Sequence, residues 1–247
     1  YASEIRMPFY GEGLDGLLRA RSKQLSGIVN GIDYNVYNPK TDKDIAVNYS
    51  VEDVIKAKAA NKTALQKELG LEENPDAFML GIVSRLTDQK GLDLVECVLD
   101  QICAEDVQLV VLGTGEGKYQ DMFTYYSRKY PERVSANIFY SEALSHRIYA
   151  SCDAFLMPSL FEPCGLSQLM SLRYGTLPIV RETGGLRDTV TPYNEVDGTG
   201  TGFSFTNYNA HEMLAIIRYA KKTYFNDRRA WNEMVLRAMK QDFSWDA

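Results

Sequence analysis

Metal-binding and redox residues are sparse in this chain. Its four cysteines, Cys97, Cys103, Cys152 and Cys164, show no CxxC spacing, and its two histidines, His146 and His211, lie far apart in 247 residues. Neither a zinc site nor a disulfide framework has its ligands at working spacing, which fits a reducing cytosol, and no metal is expected. No apolar run approaches the roughly 20 residues needed to cross a bilayer, and no signal peptide is legible, so no membrane partner is expected. Basic clusters are missing too. With 27 Lys and Arg against 33 Asp and Glu the net charge is −6, and no run of cations offers a nucleic-acid groove, which excludes that partner. Neither internal repeats nor low-complexity segments occur.

What the sequence does have is a hydrophobic share of 45%, enough for a buried core in one globular unit. Apolar runs of strand length at Phe78–Val83, Val107–Leu112, 134–140, 153–157 and 177–180 alternate with longer stretches of helical period. The pattern predicts a βαβ repeat. Runs such as VQLVVL are apolar on both faces, as parallel strands covered by helices on each side must be. The fold class is therefore α/β, a Rossmann-like doubly wound parallel sheet whose ligands gather at the carboxyl ends of the strands. Residues 46–69 read as a charged amphipathic helix and 210–241 as two terminal helices.

Residues 158–185 carry the strongest functional signal, because a strand end, a glutamate-bearing loop, a helix start and another strand follow in quick succession. Gly165 lets backbone amides approach a ligand where the helix begins, and free N–H groups at the positive end of a helix dipole favour an anion. Glu162, beside them, would repel a phosphate and suits sugar hydroxyls or a positively charged transition state. Together they suggest a sugar phosphate or nucleotide sugar. Ser167 either gives its hydroxyl to a phosphate oxygen or caps the helix. Cys164 reads as a partly buried lining residue without a base to activate it. Arg85 and Lys90 flank the TDQ turn after the first core strand and are either two cations for a diphosphate leaving group or solvated surface charges. The run Gly113-Thr114-Gly115-Glu116-Gly117-Lys118 is one residue short of a P-loop, with Tyr119 where a magnesium-binding hydroxyl belongs. It has GxGxG rather than the dinucleotide GxGxxG. It is left as a tight turn or as backbone contact with nucleotide or sugar through Gly113 and Thr114. His146 is expected to be structural at a helix start, and His211 exposed.

Three segments in order, SRLTDQKGLDLV (84–95), FEPCGLSQLM (161–170) and TGGLRDTV (183–190), resemble bacterial glycogen synthases and plant starch synthases. So do the opening YASEI, GEGLDGLLRARS and LSGIVNGIDYNVYNP. The resemblance covers nearly the whole chain. It implies the C-terminal half of a GT-B glycosyltransferase, a retaining glucosyltransferase moving glucose from ADP-glucose to the non-reducing end of an α-1,4-glucan without a metal or other cofactor. It further implies Arg85 and Lys90 on the diphosphate, and Tyr140, at the end of the VSANIFY strand, stacked on adenine where a tyrosine would otherwise read as core. Gly165, Leu166 and Ser167 fall at the nucleotide, Gly184 and Gly185 at the sugar or nucleotide. Glu162 takes the place of the first glutamate of the EX7E pattern, acting on the donor sugar; the second falls at Met170, which leaves ribose recognition without an obvious residue. No residue here is a convincing nucleophile.

Starting at Tyr1 and ending in FSWDA, the chain reads as a piece of such an enzyme. Residues 1–25 would be an interdomain segment and 26–247 the nucleotide-sugar-binding domain. The expected partners are ADP-glucose or ADP, the glucan acceptor and the chain's own N-terminal domain, in the cytoplasm of a bacterium, or a plastid if the source is a plant. SRLTDQKG favours the bacterial form. The piece alone is expected to bind ADP without catalysis, with Glu162, Gly165 and Gly184 at an open crevice edge. Two other classes remain: a non-catalytic nucleotide- or glucan-binding module, and a dinucleotide oxidoreductase using the GTGEG turn with Glu142 on the ribose.

Overall fold

Six short apolar runs pair side by side, all in one direction. In this computed structural model, which describes residues 1–245, β1 (Phe78–Val83), β2 (Val107–Leu112), β3 (Val134–Asn137), β4 (Ala154–Met157), β5 (Leu177–Arg181) and β6 (Phe203–Phe205) form a sheet of order β3-β2-β1-β4-β5-β6. Every pairing is parallel. The chain winds outward from β1 to β3 and then the other way from β4 to β6, so the connections diverge between β1 and β4 and open a crevice at their carboxyl ends. Asp246 and Ala247, the end of the expected 26–247 domain, lie outside the described residues.

The helices are α1 (Asp15–Ala20), α2 (Val54–Leu69), α3 (Leu92–Ala104), α4 (Gly117–Lys129), α5 (Glu142–Ser151), α6 (Ser167–Arg173), α7 (Gly184–Thr189), α8 (Ala210–Asn226) and α9 (Arg228–Lys240). Spacing explains their faces: Leu92, Val95, Val98, Leu99 and Ile102 of α3 recur every three or four residues and are all buried. Side-chain caps explain several starts. Ser141 accepts the Leu144 N–H ahead of α5, Asn209 those of His211 and Glu212 ahead of α8, and Asp227 that of Ala230 ahead of α9. The core lies on both faces of the sheet. Met79, Val110 and Leu112 meet Leu65 of α2 and Leu144 and Ile148 of α5, while Phe78, Leu80 and Ile82 join a larger cluster with α3, α8 and α9. The short helices within residues 1–25 bury no side chain.

Two boundaries differ from expectation by more than one residue, and one strand is added. The helix expected over 46–69 begins at Val54, because Asn61 turns its side-chain oxygen onto the N–H groups of Ala46 and Val47 and Asp53 accepts from Ser50, holding that stretch as loop. Strand 134–140 stops at Asn137, where its partner strand β2 also ends at Leu112. Strand β6 was not expected; three residues are too few to display a period.

Two lysines one turn apart on α2 are buried with opposite electrostatic outcomes. Burial works against the Lys62 ammonium, but the Asp153 carboxylate at 2.6 Å and the Tyr224 hydroxyl at 2.9 Å outweigh it and hold its pKa above the ordinary lysine value. Among the described residues Lys58 donates to neutral acceptors, the carbonyls of Tyr149, Ala150 and Tyr174 and the Thr176 hydroxyl. Burial brings its pKa down to about 7. The unfolded chain then binds a proton that the folded chain has released, from about pH 7 up to the ordinary lysine value, so this group makes stability rise with pH across that window, by at most about 1.4 kcal/mol per unit. Urea unfolding at pH 7, 8 and 9 is expected to show this rise in the wild type and a flatter profile in Lys58→Met.

Candidate functional site

A crevice of about 340 Å³ opens at the carboxyl ends of β1 and β2, lined by Arg85, Gly113, Thr114, Tyr140, Leu166 and Ser167, with Met170 and Tyr37 also in the wall. Arg85 follows β1 and is exposed; its guanidinium donates to Gln89 at 3.1 Å, which aims it across the turn. Because β3 ends early, residues 138–140 leave the sheet, and Tyr140 stands 84% exposed over the crevice rather than in the core. Ser167 is the first residue of α6 and does not cap it; its hydroxyl instead meets Tyr149. Leu166 is exposed beside it, and Met170, the position of the missing second glutamate, faces the same space.

The GTGEG turn owes its first two glycines, Gly113 and Gly115, to packing, whereas Gly117 has open space around it. A side chain at Gly113 would come within 1.9 Å of the Ser84 carbonyl oxygen. The turn is laced to the preceding loop by the Leu86 N–H on the Thr114 carbonyl and the Glu116 N–H on the Leu86 carbonyl. The tight-turn reading accounts for Gly113 and Gly115, and Gly113 and Thr114 also line the crevice.

Glu162 and Lys90 form a second, more enclosed centre. Lys90 Nζ lies 2.5 Å from Glu162 Oε2, and Ser159 donates to the same oxygen at 3.3 Å. Arg85 and Lys90 therefore stand in different company: Arg85 faces the crevice, while Lys90 is paired. Glu162 is only 6% exposed, and Gly165 and Gly184 are buried, so the expected open edge is not what is found. The loop is closed from both sides. Gly184 and Gly185 bring α7 against it so tightly that a side chain on either would sit 1.9 Å from the Glu162 or Cys164 carbonyl oxygen. Their N–H groups are also occupied, Gly184 donating to Glu4 at 2.8 Å and Gly185 to the Glu162 carbonyl at 3.0 Å. Cys164 accepts from the Asn30 N–H, and burial raises its pKa; it is not among the residues that line the crevice.

Two contributors were not legible in the sequence. Glu4 reaches across 180 residues to accept from the Thr183 hydroxyl and the Gly184 N–H, and Tyr1 lies against Gly184, so residues 1–12 lie over the Glu162 loop. Tyr37 enters the crevice wall from the loop ahead of α2. No local period announces contacts this distant. His146 is structural, as expected, but one turn inside α5, with Nδ1 2.7 Å from Asp42 Oδ2; His211 is exposed. Asp42, Asp44 and His146 bring potential metal ligands within 4.8 Å of one another. The Asp42 oxygens are already engaged by His146, the Tyr174 hydroxyl and the Asp44 N–H, so Asp42 is a hydrogen-bond acceptor here and carries no metal assignment.

A family profile described as "Glycosyl transferases group 1" matches residues 62–235. Over 247 residues the chain is 70% identical to a glycogen synthase of Lachnospira eligens, covering all of this chain and 52% of the relative. It is 65% identical over 245 residues to a glycogen synthase of Lachnoclostridium phytofermentans, covering 99% and 51%. The chain thus spans about half the length of these relatives. Among solved structures, the catalytic domain of starch synthase IV from Arabidopsis thaliana, bound to ADP and acarbose, superposes with a TM-score of 0.93 at 35% identity, over all of this chain and 51% of that one.

Proposed function

The chain belongs to the group 1 glycosyl transferases, and from that membership we propose that it is the nucleotide-sugar half of a bacterial glycogen synthase, acting in the cytosol and binding the ADP portion of ADP-glucose in the crevice beside α6. The observation that carries the reading is the placement of one exposed cation, Arg85, and one exposed ring, Tyr140, around the first turn of α6 at the carboxyl edge of a doubly wound sheet. The relatives' name and the ADP of the starch synthase neighbour support the same assignment.

In this reading each group has one task. Arg85 gives charge-assisted hydrogen bonds to the diphosphate, which gathers negative charge as the glycosidic bond breaks. A diphosphate entering beside the Lys90–Glu162 pair draws the ammonium toward itself and leaves the carboxylate facing the sugar. The ring of Tyr140 stacks on the base. The other half of the enzyme closes over the donor, excludes water and brings the acceptor end of an α-1,4-glucan to the anomeric carbon. Residues 1–25 are the passage between the halves.

A hydrogen bond to a charged group is worth about 1.5–3 kcal/mol, so Arg85→Ala is expected to weaken ADP at least about 10-fold. Calorimetry on the chain measures this directly. Unchanged affinity in Arg85→Ala would remove the diphosphate from this crevice.

A further inference from the structure

The crevice has an aromatic wall that neither the motifs nor the pairing of strands announces. Tyr37 lies in the loop between residues 33 and 49, far in sequence from Tyr140, yet both line the same space. Its ring is half-buried and stacked on the imidazole of His146, centroids 4.9 Å apart and planes 28° off parallel. Its hydroxyl is within electrostatic reach of Glu142 and Tyr140.

His146 is itself fixed. It is 3% exposed, and its Nδ1 meets Asp42 Oδ2 at 2.7 Å. The same carboxylate oxygen accepts the buried Tyr174 hydroxyl, and the other accepts the Asp44 N–H at 2.9 Å. Asp42 belongs to the Tyr37 loop, His146 to α5 and Tyr174 to the residue just after α6, so three separate pieces of chain are joined at one carboxylate. The first turns of α5 and α6 are also crevice walls, through Ser141, Glu142, Leu166 and Ser167. Three donors converge on this one buried carboxylate and hold the members of the network in one arrangement through His146 Nδ1, while the buried His146 Nε2 has no hydrogen-bond partner among the described residues. The position of Tyr37 relative to both helix starts is therefore set from behind. If the Tyr37 ring only shielded His146, nothing would require it also to reach the crevice.

We propose that Tyr37 forms the second wall of the base subsite and that the Asp42–His146–Tyr174 network positions it there. This rests on the nucleotide reading of the crevice given above. A flat ring recognises a base by its face and makes no demand on the phosphates, so its removal acts on a nucleotide and spares inorganic pyrophosphate. Aromatic stacking converts to about a 3- to 10-fold change in affinity.

The test is titration calorimetry of the chain with ADP and with pyrophosphate, alongside thermal melting. Tyr37→Leu keeps apolar bulk over His146 and loses the flat face; Tyr37→Phe keeps the face. Tyr37→Leu is expected to weaken ADP about 3- to 10-fold and leave pyrophosphate within about twofold, while Tyr37→Phe binds both as the wild type does. His146→Asn is expected to weaken ADP in the same selective way, and the double substitution with Tyr37→Leu to cost less than the product of the two, since both act on one wall. Unchanged ADP affinity in Tyr37→Leu overturns the proposal, as does a parallel loss of ADP and pyrophosphate, which would make the residue a structural support only. A wild-type chain that binds pyrophosphate but not ADP overturns the nucleotide reading itself, before any variant is compared.

Discussion

Lys62→Met is expected to lower the unfolding free energy by about 3–5 kcal/mol, because it strips a buried carboxylate of the one cation paired with it among the described residues. Asp153 would keep the Met79 N–H at 2.8 Å, but one neutral donor does not replace an ammonium in a site where both partners are nearly fully buried. The contribution is fully present at neutral pH: a lysine whose folded pKa is raised stabilises below its unfolded value and loses that effect only as pH rises through the folded one. Urea unfolding at pH 7 measures it, and Lys62→Met/Asp153→Asn is expected to recover part of the loss by removing the stranded charge. A single substitution within about 0.5 kcal/mol of the wild type would mean that the pair is solvated and contributes like a surface bridge.

Glu162→Gln is expected to act on rate rather than on nucleotide binding. In a chimaera joining this chain to the N-terminal half of the Lachnospira eligens relative, kcat for glucan elongation from ADP-glucose should fall about 10²–10³-fold, the magnitude of removing one preorganised electrostatic contact from a transition state. ADP affinity should stay within a few-fold. Glutamine keeps the size of the side chain and one oxygen for Lys90 and Ser159, so the geometry around Glu162 is retained while the charge is lost. Near-normal turnover would return Glu162 to the status of a loop carboxylate tied to a lysine. The present reading makes that tie a resting state.

The strands were legible wherever both faces are buried. Phe78–Val83 and Val107–Leu112 are apolar runs, interrupted only by Gln108, and appear with the expected bounds, since a parallel strand under two helix layers has no solvent face to confuse its period. What failed was set by partners rather than by local sequence: residues 138–140 are as apolar as a strand requires, but β2 had already ended. The site divides the same way. Arg85, Glu162 and the start of α6 lie in contiguous motifs and could be read directly, whereas Glu4 and Tyr37 reach the site through contacts that no window of sequence contains. Residue type was read more surely than company. Lys90 was visible as a cation, but its pairing with Glu162 depends on bringing two strand ends together.

The sheet has two edges with different contents, and this shapes how the protein can change. Lys62, Asp153 and the carbonyl of Ala77 meet where β1 and β4 begin, whereas Arg85 and Glu162 lie beyond the points where those strands end. Strands of four to six residues hold the two groups apart, and no hydrogen bond described above links them. Substitutions in groups so separated combine nearly additively. Drift or design can therefore retune donor preference in the loops of one edge while a reserve of stability is kept, or increased, at the other.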